Sequence, residues 1–205
     1  MKLTFLFLLL AALPLAAGDG QLTDSERTVL INHLEMSKKN MLESIAGLTP
    51  AQWSFKAAPD KWSVAECAEH IILAEGYLMG ATQKILQSPT VARPEKSNAE
   101  VDQKLLAGIT DRSHKLTAPE PLVPSHPPAT PEEAALLFSE ARDKTIAYAK
   151  TTPDDLRVHV ADSPAGKIDA YQFLLLLSAH SARHTAQIKE VEANADFPKA
   201  AAGTN

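Results

Sequence analysis

Four times along this chain, a residue able to cap a helix is followed three positions later by Glu or Gln, and then by an amphipathic run. Thr23-x-x-Glu26, Ser63-x-x-Glu66 and Thr130-Pro-x-Glu133 read as capping boxes, the last with Pro131 at the favoured first helical position. Asp169-x-x-Gln172 is a close variant. In such a box the first side chain accepts an N–H that the helix cannot satisfy, and the third reaches back to the cap's own N–H. Helix starts are thereby set locally, before tertiary contacts form.

Apolar residues recur at three- and four-residue steps behind each start. The first stripe is Leu30, Leu34, Ser37, Met41, Ile45 and Leu48; the second is Val64, Ala68, Ile71, Ile72, Leu78, Met79, Ile85 and Leu86. Ala134, Leu137, Phe138, Ala141, Thr145 and Tyr148 form the third. The fourth runs Phe173, Leu174, Leu177, His180, His184, Ile188 and Val191. Four helices with one apolar face each predict an all-α four-helix bundle.

A connection of about forty residues, Pro89 to Ala129, joins the second helix to the third and carries seven prolines. One this long can cross the bundle from end to end or cover a site as a lid; the alternative for PEPLVPSHPPATP is a disordered spacer. Within it, AEVDQKLLAGI is briefly periodic. RVHVADSPAGKI alternates around a Pro-Ala-Gly turn and predicts a small hairpin before the fourth helix.

The chain has 205 residues, 45% of them hydrophobic, enough for one core without staples. Its net charge of −5 comes without a basic cluster, which argues against nucleic acid as a partner. An uncharged, almost wholly apolar run from Leu3 to Ala17, ending in small residues, is shorter than the roughly 20 residues of a membrane span. It reads as a secretory signal peptide over residues 1–18, cleaved near Gly18-Asp19, so the protein is expected to be secreted or periplasmic, with no stable membrane span after cleavage. The bundle domain would then cover 19–195, with 196–205 as a tail. Cys67 is the only cysteine, so no internal disulfide exists even in an oxidising compartment.

Near the C-terminus, SAHSARHTAQ puts His180 and His184 four residues apart on the fourth helix. Four residues of α-helix turn through about 400°, so both rings leave the same face with Cβ atoms roughly 6 Å apart. They can share a metal ion or can be hydrogen-bonded core histidines. A third ligand must come from another helix. His33 lies at the edge of its stripe, and His114, His126 and His159 fall in irregular segments where exposure is expected. His70, mid-helix in KWSVAECAEHIIL, is the third candidate.

The stretch AQWSFKAAPDKWSVAECAEHI, followed far downstream by HSARHTAQI, resembles the DinB/YfiT superfamily over Leu22 to about Val191. The resemblance implies a DinB-like bundle holding one divalent metal through three histidines, which fall here on His70, His180 and His184. It also brings thiol S-transferases and a thiol-dependent isomerase into view, and no fixed reaction.

Three neutral imidazoles leave an ion its full charge and an open position, the pattern of catalytic sites. Such an ion lowers the pKa of water to about 7 and polarises a carbonyl or phosphoryl oxygen. Imidazole suits zinc, nickel, iron and copper alike, so the metal is not chosen. Gln187 can orient a ligand or bind water, or it can be a rim residue. Arg183 can hold an anionic substrate or pair with a carboxylate on the next helix. Glu66 can be a general base or simply close the Ser63 box. Cys67 can be a fourth ligand or a small buried residue. Trp53 and Trp62 are expected to anchor the loop entering the second helix, with Trp62 near the pocket mouth.

The expected function is that of a secreted metal-dependent hydrolase of an unidentified small molecule. The alternatives are a non-catalytic metal-binding stress or accessory protein and, opposed by the signal peptide, a thiol-dependent transferase or isomerase. A homodimer is the assembly left open.

Overall fold

The computed structural model describes residues 21–92, 98–163 and 165–199. The expected signal peptide and the end of the tail, 200–205, lie outside them. Four long helices are present at the expected places: α1 (Asp24–Ile45), α3 (Val64–Ile85), α5 (Pro131–Thr151) and α6 (Ala170–Glu192). Two shorter ones, α2 (Pro50–Trp53) and α4 (Ala99–Thr110), lie in the connections.

The boxes at Thr23, Ser63 and Asp169 close in both directions, and Thr49 with Gln52 closes a further one over α2. At Thr130 the box is only half made. Thr130 accepts from the Glu133 N–H at 3.2 Å, but the Glu133 carboxylate takes the N–H of Ala129 at 2.7 Å. That carboxylate secures the incoming chain instead of the cap residue. At the other end of α1, Gly47 adopts φ of 70°, the left-handed conformation that closes a helix C-terminus and that other residues resist.

α1 and α3 each pack against both α5 and α6. α1 therefore sits diagonally from α3, and α5 from α6, so the circuit round the bundle reads α1, α5, α3, α6. The long connections make this possible, since short ones would force antiparallel neighbours. α4 lies along α6, and a 3-10 turn at Glu120–Leu122 lies on α3, so these two described parts of the long connection lie on one flank of the bundle. Its proline-rich part is fixed in place: Trp53 donates its indole N–H to Pro128 O at 2.8 Å, and Glu69 accepts the N–H groups of Ser125 and His126.

The predicted hairpin is β1 (Val160–Ser163) paired antiparallel with β2 (Gly166–Asp169), Val160 opposite Asp169. Before it, Arg157 is 1% exposed and bonded to Glu26, Asp102 and Asp169, its guanidinium 3.7 Å above the Tyr171 ring. One side chain thus ties α4 to the starts of α1 and α6.

The stripes hold with one correction: Leu137 is 42% exposed, because its neighbour Phe138 takes the inward position on α5. Inside, apolar residues form two clusters, one around Leu30, Leu34, Leu78, Ile146 and Leu174, the other around Met41, Ile45, Ile71, Phe138 and Ile188. Between them on α1, α3, α5 and α6 stand Ser37, Glu75, Arg142 and Ser181, all buried. The core is split by a polar layer. No helix among the described residues is long and apolar enough to cross a membrane. Phe197 packs edge-on against Phe55 at 5.4 Å, and Gln52 donates to Pro198 O, so the chain is held to the bundle past α6.

Candidate metal centre

His70 lies in the second turn of α3, on its core face, where α3 meets α6. His180 and His184 leave that side of α6 one turn apart. The Nε2 atom of His70 is 3.0 Å from His180 Nε2 and 3.1 Å from His184 Nε2. Among the described residues this is the one group of three or more His, Cys, Asp or Glu residues able to hold a metal ion, with one ligand atom each within 4.8 Å of the others.

The outward ring atoms explain why Nε2 points inward. His70 Nδ1 is 2.6 Å from Leu122 O, and His184 Nδ1 is 2.9 Å from Gln187 Oε1. A carbonyl oxygen can only accept, so each Nδ1 carries the proton and donates. In the neutral ring this leaves the Nε2 lone pair bare. His180 Nδ1 is buried and has no protein partner. Trp62, half-buried in the loop before α3, covers the group with its ring centroid 4.8 Å from that of His70 and 6.1 Å from that of His184.

Burial lowers the pKa of all three rings. For His180 it acts with the nearby positive charge of His70, Arg183 and Arg142, bringing the ring down to about 3. His184 falls to about 2, through burial and then the other two rings. At neutral pH the centre therefore offers three uncharged rings with free lone pairs, the protonation state a metal ion requires. Nitrogen ligands about 2.1 Å from a tetrahedral ion lie roughly 3.4 Å apart, and the spacings of 3.0 and 3.1 Å fall a few tenths of an ångström short of that. The donors fit a divalent ion.

The other candidates divide. Gln187 orients His184. Arg183 donates to the backbone carbonyls of Ile109, Asp111 and His114, and its guanidinium makes no ion pair with a carboxylate on a neighbouring helix among the described residues. The end of α4 leaves carbonyls without helical partners, and this cation suits them. Arg112 makes the ion pair instead, donating to both Glu190 oxygens at 2.6 and 2.5 Å. Glu66 accepts from the Ser63 N–H and from Lys56, each at 2.7 Å. Burial pushes its pKa up, but these partners together hold it below the usual value. Cys67 is fully buried among apolar residues, and burial pushes its thiol up to about 12, so it is a packing residue outside the cluster.

Two features escape sequence reasoning. Leu122 acts through its backbone, and nothing in a proline-rich segment marks one carbonyl. Arg142 and Glu75 did leave a signal: each is a charged residue on an otherwise apolar stripe, between Phe138 and Ile146 and between Ile71 and Leu78.

The family model of the DinB superfamily matches residues 33–188, a span that includes all three histidines, and the chain belongs to that superfamily. It is 24% identical over 149 residues to the uncharacterized protein YuaE of Bacillus subtilis (strain 168), covering 72% of this chain and 88% of that protein. Its fold is that of YfiT from Bacillus subtilis, described as a probable metal-dependent hydrolase with an unusual four-helix bundle topology. The two superimpose with a TM-score of 0.52 at 17% identity, over 84% of this chain and 89% of the other.

Proposed function

We propose that His70, His180 and His184 hold one divalent metal ion through their Nε2 atoms, and that the protein is a metal-dependent hydrolase of a small molecule. The observation that carries this reading is the convergence of three Nε2 atoms whose opposite ring nitrogens are, in two cases, tied to fixed acceptors. The description given to YfiT supports the same class of activity. An ion held by three neutral ligands would supply an open position, Lewis acidity and a lowered pKa for water.

The chain's own residues do the rest. Leu122 O and Gln187 fix the ring planes and protonation of His70 and His184. Trp62 keeps bulk water from one side of the group. Zinc, nickel, iron and copper all accept such ligands. We also read the protein as exported, on the strength of the apolar run Leu3 to Ala17.

Elemental analysis of purified protein should find about one divalent ion per chain. Metal-stripped and reloaded protein would then be compared on a panel of esters, amides and phosphoesters. Turnover that depends on metal supports the hydrolase. Stoichiometric metal without any metal-dependent turnover would replace it with a non-catalytic metal-binding protein.

A further inference from the structure

We infer that Arg142 is a positioning residue for the histidine cluster: it fixes the alignment of α6 against α3 and so holds His180 and His184 opposite His70. The inference rests on the metal reading only for one of its two readouts.

The guanidinium of Arg142, on α5, is wholly buried and bonded to the other three long helices. Nε and Nη2 donate to the Glu75 carboxylate on α3 at 2.9 and 2.5 Å, and Nη2 also donates to Ser181 Oγ on α6 at 2.7 Å. Nη1 donates to Leu34 O and Ser37 Oγ on α1, at 2.9 and 2.5 Å. Ser181 adjoins His180, and Glu75 stands five residues after His70. The two helices that Arg142 ties together are thus the two that carry the cluster, and the tie lies close to the rings.

Apolar layers alone would specify this alignment weakly. Packed Leu, Ile and Ala side chains tolerate exchange at constant volume, and neighbouring rows of a bundle resemble one another. A planar fork with fixed donor directions has one arrangement that satisfies every N–H, and any slip leaves a buried charge unpaired. Sliding α6 by one turn would move its rings about 5.4 Å past α3. Stability is a poor explanation for the layer, since a buried ion pair replaced by apolar residues of similar volume is often no less stable. The charge of Arg142 also acts on the His180 ring, consistent with its closeness to the cluster.

The test is the double variant Glu75→Leu, Arg142→Met. It strands no polar partner, because Ser37 and Ser181 also bond Leu34 O and Leu177 O in their own helices. It should fold with a thermal midpoint near that of the wild type. Cobalt(II), used as the probe metal, should bind at least tenfold more weakly and show an altered visible spectrum. In the metal-free protein, nuclear Overhauser contacts from the His70 ring to those of His180 and His184, with centroids 4.8 and 4.2 Å away, should weaken or vanish. A folded double variant with wild-type ring contacts and cobalt affinity would overturn the inference. If wild-type protein does not bind cobalt(II), the metal reading falls, and the ring contacts alone decide the alignment. Should the double variant not fold, Arg142→Lys takes its place. It keeps the charge but loses the fork, and folded protein with unchanged ring contacts would be equally decisive against the idea.

Discussion

Gln187 places its Oε1 atom 2.9 Å from His184 Nδ1, so one helix supplies both a candidate ligand and the group that sets its proton. The relationship follows from three-residue spacing on α6, which puts the two side chains on the same face. Gln187→Leu should therefore lower metal affinity by about 10- to 100-fold without unfolding the protein, the usual cost of losing a partner that orients a ligand. Gln187→Glu keeps an acceptor and should retain most of the affinity. Isothermal titration of the two variants separates this role from that of a rim residue, for which both would match the wild type.

Single changes of His70, His180 or His184 to Ala should each cut metal affinity far more than His33→Ala or His126→Ala, since each removes a direct bond. Metal content and titration across these five variants measure the effect. Unchanged metal content in His180→Ala would make the group a set of core histidines.

The bundle was legible because its determinants are local. Thr23, Ser63 and Asp169 announce the starts of α1, α3 and α6, and Leu30 to Ile45 or Phe173 to Val191 announce the buried faces. The histidines were legible for the same reason, two lying on one helix face and the third mid-helix. What lay hidden depends on contacts between segments far apart in the chain. Arg183 has a purely structural set of acceptors that only the path of residues 109–114 creates. Arg157, read as part of an alternating segment, gathers carboxylates from three separate elements. The diagonal placement of α1 and α3 leaves no mark on either helix, because each shows a single apolar face whichever neighbours it meets.

Leu177 is 1% exposed in the apolar cluster nearest the start of α6. Leu177→Ala should cost roughly 2–5 kcal/mol, from lost transfer energy and the cavity left behind. Urea titration followed by circular dichroism gives the number. A cost below about 1 kcal/mol would mean that the site collapses to fill the space.

If the apolar run is a cleaved leader, protein recovered from its native host should begin at or within a few residues of Asp19. N-terminal sequencing or intact mass decides the point. Mature protein that keeps Met1 would exclude cleavage, and with it the exported reading.

Acid should destabilise the metal-free protein, and the histidines determine the direction. His180 and His184 titrate at about 3 and about 2 when folded, against 6.5 for an ordinary ring. Below 6.5 the unfolded chain takes up protons that the folded protein refuses, so stability is full above that pH and falls as pH drops toward the folded values. Each pH unit in that window removes up to about 1.4 kcal/mol per ring. Asp169 works the other way over a shorter range, because burial, outweighing Arg157, raises its pKa to about 6. One carboxyl group does not offset two rings with larger shifts in the opposite direction. Thermal midpoints of metal-free protein should therefore fall between pH 7 and pH 5. The double variant His180→Gln, His184→Gln, which cannot titrate at those positions, should show a much flatter dependence. Equal slopes in the two proteins would mean that the rings take up protons as readily in the folded protein as in the unfolded chain, and that burial does not hold them neutral in acid.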